Sequence, residues 1–257
     1  MREQTIVGST NVVSTSLAYD VVHSSSNTPC PVVYTCEHAT NALPEPWAWA
    51  KADHWIRGTH WAVDIGVADV TRRLIERSGA KGVFARFSRL LIDANRAWGA
   101  DGLYRTEAEG HELALNRGLT EEEKRLRFDK YYVPYHAAVD EMIAQTPAVP
   151  IIAMHSFTPV YEGKKRDMEF GILFDHSDEM AYAMADALRD QGFVVAMNEP
   201  YSGKNGMMYS AYRHAHEHGR EALEFEIRQD LIHDAAASIA VADRVYNALV
   251  SLGLGRQ

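Results

Sequence analysis

Cysteine is scarce in this chain of 257 residues, which contains only Cys30 and Cys36. The two flank a short apolar run, and a β-strand there, rising ~3.3 Å per residue, would separate their Cα atoms by roughly 20 Å. A disulfide cannot span that distance. The sequence therefore predicts two free thiols, which are typical of a protein in the reducing cytoplasm.

Positive charge and long apolar stretches are scarce as well. The 26 Lys and Arg residues are outnumbered by 35 Asp and Glu residues, which gives a formal net charge of -9. Nucleic-acid binding needs clustered Lys and Arg, because the phosphates must be neutralised. No stretch approaches the ~18 uninterrupted apolar residues of a membrane span, and the N-terminus lacks the apolar core of a signal peptide. We expect a cytoplasmic protein with neither nucleic-acid nor membrane partners.

Several common catalytic motifs are missing from the sequence. It contains no HExxH, no CxxC pair, no GxxxxGK[ST] loop and no GxSxG elbow. These absences exclude the commonest zincins, zinc ribbons, P-loop proteins and serine hydrolases. A site of another kind must be sought.

Apolar and charged residues have ordinary frequencies of 46% and 24%, so a sizeable core is expected. Short β-branched and aromatic runs alternate with segments of helical periodicity. Strands are predicted at residues 32–36, 83–87, 90–92, 149–154, 170–174, 193–197 and 223–228, and helices at 62–77, 120–144, 178–190 and 233–252. This order predicts a single α/β domain with a mainly parallel or mixed central sheet flanked by helices.

The chain divides into a short lead-in and one domain. Residues 1–29 are rich in Ser, Thr and Asn, and we interpret them as an N-terminal arm. Residues 30–257 contain no repeat, low-complexity tract or linker, and we assign them to one domain. Nothing in the sequence indicates an oligomeric state.

Residue types that bind metals follow or lie within three of the predicted strands. Glu37 and His38 follow the first strand, His155 follows the strand at 149–154, and Glu226 lies within the last strand. The carboxyl ends of parallel strands lie at one edge of a sheet, so residues distant in sequence can converge there. The imidazoles could bind a metal ion, and Glu226 could act as a base.

Four blocks of the sequence resemble a known family. They are EHATN at residues 37–41, RLLIDANR at 89–96, HSFTP at 155–159 and EIRQDLI at 226–232. In this order they are similar to the signature blocks of the N-formylglutamate amidohydrolases, over residues 32–250. The resemblance implies a zinc-peptidase architecture related to the carboxypeptidase-like zinc hydrolases, with one Zn²⁺ ion. It also implies hydrolysis of N-formyl-L-glutamate to formate and L-glutamate in histidine breakdown.

The resemblance implies a ligand set for the zinc ion. His38 and His155 are the imidazole ligands, but the related carboxypeptidases have a Glu where this chain has Asn41, a poor zinc ligand. Related amidases take a carboxylate from the start of the following helix, which makes Asp64 the candidate. Asp64 could instead be an ordinary charge at a helix N-terminus. Glu37 is the alternative ligand, or it orients a ligand imidazole.

The resemblance also implies the residues that act on the substrate. Glu226 is the expected general base, and by strand alternation it faces the same side as Glu224. An adjacent Asn-Arg pair, here Asn95 and Arg96, binds the carboxylate of a small anionic substrate. Arg89 and Arg213 are candidates for stabilising the oxyanion, or they form ion pairs elsewhere.

Two other functions are compatible with the sequence. One is hydrolysis of a different N-acyl amino acid, or of a peptide with a free carboxyl end. The other is a binding protein on a degenerate hydrolase fold. The sequence assigns no role to four further histidines: His136, His214, His216 and His218.

Overall fold

An eight-stranded β-sheet lies at the centre of the fold. The structure, a computed structural model, describes residues 10–24 and 31–255. The strands are β1 (Thr10–Thr15), β2 (Tyr19–Ser24), β3 (Val33–Cys36), β4 (Lys81–Ala85), β5 (Glu107–Ala108), β6 (His111–Glu112), β7 (Ile151–Phe157), β8 (Val160–Tyr161), β9 (Lys164–Lys165), β10 (Phe170–Leu173), β11 (Val195–Met197) and β12 (Ala222–Arg228). The α-helices are α1 (Val67–Ser78), α2 (Glu121–Arg127), α3 (Val133–Ala144), α4 (Asp178–Asp190), α5 (Tyr209–His218) and α6 (Ala235–Ser251). Among the described residues, no helix has the length and apolar character that a membrane span requires.

The sheet is mixed, with a parallel centre. Its strand order is β1-β2-β4-β3-β7-β12-β10-β11. The four strands from β4 to β12 in this order are parallel to their neighbours. β1, β2 and β10 pair antiparallel with their inner neighbours, and β11 pairs parallel with β10. The hairpins β5–β6 and β8–β9 lie outside this sheet. The prediction of an α/β fold with a mixed central sheet is confirmed.

Alternation along the strands divides the apolar residues between two helical layers. In β7, Ile152 and Met154 belong to the apolar cluster that contains α1, α4 and α6, and Phe225 of β12 joins them. Ile151 and Ala153 belong to the cluster that contains α3 and α5. By the same alternation, residues 155, 224 and 226 face the layer of α3 and α5.

Two strands of the sheet, β1 and β2, precede residue 32, at which the first predicted strand begins. β1 and β2 lie within the segment interpreted as an arm, and β2 pairs with β4. Residues 1–9 and 25–29 of that segment lie outside the described residues, as does Cys30. Cys36 is a free, buried thiol, and burial raises its pKa.

The predicted strand at residues 90–92 is wrong. Leu90, Leu91 and Ile92 are buried as expected, but Leu90 and Leu91 lie in a turn and Ile92 follows it outside any strand. The carbonyls of the two leucines face the interior. They are satisfied by distant side chains, since Asn116 Nδ2 donates to Leu90 O at 2.8 Å and Arg127 Nη1 donates to Leu91 O at 3.1 Å. Local periodicity cannot reveal such partners.

Two predicted helices have different bounds in the structure. α1 begins only at Val67, because Gly66 adopts a left-handed conformation with φ of 78°. The segment predicted as one helix at 120–144 contains a π-helical turn at Phe128–Tyr132, and Pro134 lies in the first turn of α3 without breaking it. α5 was not predicted.

The close approach at Gly66 generates a stability prediction. A Cβ atom at Gly66 would lie 2.0 Å from the Ile232 carbonyl oxygen, whereas Gly99 has the same φ of 78° and nothing within 4 Å. Gly99→Ala should therefore cost only the left-handed strain of ~1–2 kcal/mol. Gly66→Ala should add a further ~1–3 kcal/mol for the steric clash. Denaturant unfolding of both variants measures the difference, and equal losses would contradict the close contact.

Candidate active site

Most of the residues singled out in the sequence converge at one edge of the sheet. A cavity of about 260 Å³ near the carboxyl ends of β3, β7 and β12 is lined by His38, Asp64, Arg89, Asn95, Arg96, His155 and Glu226. His155 lies within β7 rather than after it, directly beside Glu226 of β12 in the parallel register. His38 follows β3, and the loop that ends at Asp64 reaches the same point.

Two histidines and one aspartate form a compact group. Asp64 Oδ2 lies 3.4 Å from His38 Nδ1 and 2.9 Å from His155 Nδ1. The two imidazole rings are edge to face, with centroids 4.7 Å apart. All three side chains are buried, and each can bring one ligand atom within 4.8 Å of the others. His38, Asp64 and His155 could therefore hold a metal ion.

Asp64 reaches this position from a loop, not from the first turn of a helix as predicted. Its backbone N–H donates to His38 O at 3.1 Å, and Ser156 N–H donates to Asp64 Oδ2 at 3.2 Å. The left-handed Gly66 separates this loop from α1. Asp64 is thus tied to both neighbouring strands, and its charge is not that of a helix N-terminus.

A carboxylate contacts the second nitrogen of each histidine. Asp93 Oδ1 lies 2.7 Å from His38 Nε2, and Glu37 Oε2 lies 3.2 Å from His155 Nε2. Asp93 accepts a hydrogen bond from His38 Nε2, and Glu37 lies at ion-pair distance from His155 Nε2, which leaves Nδ1 of each ring as the atom that can bind a metal. The geometry thus favours the orienting role for Glu37 over direct ligation.

Asp93 was missed as a site residue, although it lies in the block at residues 89–96. Its carboxylate also accepts the backbone N–H of Asn95 at 2.9 Å and pairs with Arg89 Nη2 at 2.9 Å. Burial would raise its pKa, but Arg89 and His38 lower it well below the usual range. The block at residues 89–96 could have indicated Asp93 as a site residue, because Asp93 is its one acidic residue.

Negative charge predominates around the two histidines. The buried carboxylates are Glu37, Asp64, Asp93, Glu224 and Glu226. Burial opposes ionisation of Glu37, but His155 and the Ser210 and Thr35 hydroxyls lower its pKa to about 2. Burial also opposes a charge on His155, but the surrounding carboxylates raise its pKa well above the usual value. This excess of negative charge favours a cation at the group.

The two glutamates of β12 share a face, as predicted, but have different surroundings. Glu224 Oε2 accepts from Asn95 Nδ2 at 3.1 Å and lies 3.6 Å from His155 Nε2. Glu226 Oε2 is buried and has no hydrogen-bond partner in the part of the chain that the structure describes. Burial raises the pKa of both, and that of Glu226 well above its usual value. Of the two carboxyl groups, that of Glu226 thus keeps an oxygen without a partner among the described residues.

Asn95 lines the cavity, yet its amide is already engaged. Besides donating to Glu224, it accepts the backbone N–H of Ser210 through Oδ1 at 2.9 Å. It thus connects α5 to β12. The structure supports a positioning role for Asn95 more directly than the expected contact with the substrate.

Arg89 and Arg213 occupy different places. Arg89 lines the cavity and bridges Asp64 at 3.4 Å and Asp93 at 2.9 Å. Arg213 lies on α5, pairs with Asp140 and Glu217 at 3.1 Å each, and is not among the residues that line the cavity. The structure does not bring Arg213 to the site.

Arg96 and Arg105 form the cationic side of the cavity. Arg96 Nε and Arg105 Nη2 each lie 3.9 Å from the point where Gly102 would carry a Cβ atom. Neither guanidinium has a carboxylate within 4.0 Å among residues 10–24 and 31–255. Arg105, which packs over the Trp61 ring at 4.7 Å, was not singled out, because it belongs to no recognisable motif.

Comparisons with known proteins agree with this arrangement. A sequence model of the N-formylglutamate amidohydrolase family matches residues 30–233. A gene product of known structure from Agrobacterium tumefaciens has 31% identity and a TM-score of 0.85, over 93% of this chain and 97% of that chain. The N-formylglutamate amidohydrolase from Ralstonia eutropha JMP134 has 19% identity and a TM-score of 0.73, also over 93% and 97% of the two chains. No curated protein sequence matches the chain.

The family match and the buried site together define a hydrolase of the amidohydrolase type. The chain belongs to the N-formylglutamate amidohydrolase family, because the family model spans most of it. The resemblance that the four sequence blocks indicated is confirmed.

Proposed function

We propose that this chain hydrolyses the amide bond of a small N-acyl amino acid, and that its substrate is N-formyl-L-glutamate. Water adds across the amide, and formate and L-glutamate are released. The observation that carries the proposal is a cavity with a His-Asp-His group at one side and two unpaired guanidinium groups at the other. Family membership supports the choice of substrate.

The two arginines suit a substrate with two carboxylates. A guanidinium binds a carboxylate through two parallel hydrogen bonds, so it both attracts and aligns the anion. Burial and the nearby Arg89 lower the pKa of Arg105, which an anionic ligand would counteract. We assign the α-carboxylate to Arg96 and the side-chain carboxylate to Arg105. The negative charge of the whole chain makes such local positive groups necessary.

The group of His38, Asp64 and His155 would hold one Zn²⁺ ion. The ligand types, their spacing and the surplus of buried carboxylates fit this ion. When bound, zinc supplies a water of lowered pKa, towards ~7, and polarises the acyl carbonyl. Asp93 and Glu37 keep the two imidazoles oriented.

Glu226 serves as the base in this proposal. Its buried carboxylate accepts a proton from the attacking water and returns it to the leaving amine. Asn95 holds the neighbouring Glu224, whereas Glu226 Oε2 has no hydrogen-bond partner among the described residues. Arg89 is engaged with Asp64 and Asp93, and we assign it to holding these carboxylates.

A place in histidine breakdown follows from the proposed substrate, because N-formylglutamate is the substrate that the family resemblance implies for this process. We also propose that the chain acts in the cytoplasm, since the scarcity of cysteine supports a reducing compartment.

Steady-state rates on matched substrates test the function and the two arginines together. We expect N-formylglutamate to be hydrolysed faster than N-acetyl- and N-succinylglutamate. Arg96→Ala should lower kcat/KM on N-formylglutamate by ~10²–10³ and have little effect on the analogue with an α-carboxamide. Arg105→Ala should lose at least ~10-fold on N-formylglutamate and little on N-formylglutamine.

Arg117→Ala is the control for this series, because Arg117 is 61% exposed and its ion pair among the described residues is with Glu112. Its rates should match those of the unmodified chain. Equal losses on charged and amidated substrates would show that Arg96 or Arg105 supports the structure instead. No turnover of any N-acylglutamate would refute the proposed function.

Metal affinity tests the ligand set. His38→Ala, His155→Ala and Asp64→Ala should each abolish stoichiometric zinc binding, because each removes a ligand. Glu37→Gln should retain zinc with an affinity ~10–100-fold lower, since it removes an orienting partner. His216→Ala is the control, because His216 is exposed and stacks on Tyr212 away from the group. A larger loss from Glu37→Gln than from Asp64→Ala would exchange their roles.

The two glutamates of β12 can be separated by their amide variants. Glu226→Gln should retain zinc while kcat falls by ~10² or more, because the base is lost. Glu224→Gln should retain more activity, because a glutamine can still accept the Asn95 amide hydrogen. Calorimetric zinc titration and initial rates measure both. An active Glu226→Gln beside an inactive Glu224→Gln would move the base to Glu224.

A further inference from the structure

A chain of hydrogen bonds between buried side chains connects α3 and α5. Asp140 Oδ1 lies 2.7 Å from His214 Nδ1, and His214 Nε2 lies 2.9 Å from His136 Nδ1. His214 is fully buried and His136 is 3% exposed. The function proposed above uses neither imidazole, and the sequence assigned neither.

This cluster is not suited to a metal ion. Asp140, His214 and Glu217 do offer ligand atoms within 4.8 Å of one another. Arg213 nevertheless pairs with Asp140 Oδ2 and with Glu217, and His218 Nε2 lies 3.0 Å from Asp140 Oδ1. A guanidinium already balances the two acids, so the cluster is a hydrogen-bonded network.

The carboxylate at one end sets the direction of the first hydrogen bond, and the neutral form of both imidazoles would set the second. Asp140 can only accept, so His214 Nδ1–H donates to it, and a neutral His214 then accepts through Nε2. His136 must donate its Nδ1–H, which leaves His136 Nε2 as an acceptor. Burial, with His214 and Arg213 nearby, lowers the pKa of His136 to about 3, which keeps it neutral. His136 Nε2 is buried without a partner in the described ranges.

The neighbours of the two imidazoles bear on the active site. Tyr135 precedes His136 on α3, and Ser210 lies one helical turn before His214 on α5. Ser210 N–H donates to Asn95 Oδ1 at 2.9 Å, and Asn95 Nδ2 donates to Glu224 Oε2 at 3.1 Å. Glu224 Oε2 lies 3.6 Å from His155 Nε2.

We propose that Asp140, His214 and His136 are positioning residues for the hydrolytic site. Their hydrogen bonds fasten α3 to α5, and the position of α5 in turn fixes Ser210, whose backbone N–H holds Asn95 against Glu224. The proposal rests on the function proposed above, because it assigns these residues to the same site. Apolar side chains alone could join α3 to α5, so packing does not explain why these side chains are polar. Positioning the site gives the buried hydrogen bonds a role.

The test compares His214→Ala, His214→Gln and Glu217→Gln. His214→Ala should lower both zinc affinity and kcat by ~10-fold, the lower limit for residues that orient metal ligands, with KM for N-formylglutamate unchanged. His214→Gln should recover part of the loss, since its amide offers both a donor and an acceptor. Glu217 is exposed and takes no part in the hydrogen bonds between Asp140, His214 and His136. Glu217→Gln should therefore match the unmodified protein. A lower Tm for His214→Ala with unchanged zinc affinity and kcat would overturn the proposal.

A second measurement tests the proposal if the His214 variants fail to fold. Long-range ¹H–¹⁵N correlation spectra of the unmodified protein report which ring nitrogen carries the proton. Protons on Nδ1 of both His136 and His214 support the proposed hydrogen bonds from His136 to His214 and from His214 to Asp140. A proton on Nε2 alone in either ring overturns the proposal. Zinc affinity and these spectra need no substrate. They therefore decide the positioning role even if N-formylglutamate is not hydrolysed, an outcome that would refute only the proposed function.

Discussion

The carboxylate of Asp64 is the interaction on which the site depends. Its Oδ2 contacts Nδ1 of both His38 and His155 and accepts the Ser156 N–H, while its Oδ1 lies 3.4 Å from Arg89. One loop residue thus fixes the end of β3 relative to the end of β7. Removing the charge would leave two imidazoles and a guanidinium without their common partner, in a buried place where unpaired polar groups are costly.

Much of this arrangement could be predicted from local rules. Alternating strands and helices predicted the α/β fold, and the rule that parallel strands end at one edge brought His38 and His155 together. Strand alternation placed Glu224 and Glu226 on one face. Asp64 was chosen by similarity to related amidases, in which a carboxylate at the start of the following helix is a ligand. The roles of these residues as ligands and base remain predictions.

The features that the sequence did not predict depend on contacts between segments that are distant in the sequence. Leu90 and Leu91 form turns because Asn116 and Arg127 satisfy their carbonyls, and nothing near residue 90 indicates this. Arg105 belongs to the site only because the loop after Arg96 folds back beside it. The Asn95 amide contacts Glu224 and Ser210, which lie far from it in the sequence, and its role in binding the substrate stays a prediction.

The separation of polar and apolar residues between the two faces of β7 and β12 has a consequence for folding. Glu224 and Glu226 alternate with Leu223, Phe225 and Ile227, so a pairing shifted by one residue would turn both carboxylates into the apolar layer of α1, α4 and α6. Burying two unpaired acids there would be strongly unfavourable. The glutamates of the candidate site therefore also disfavour a sheet in which β12 is shifted by one residue.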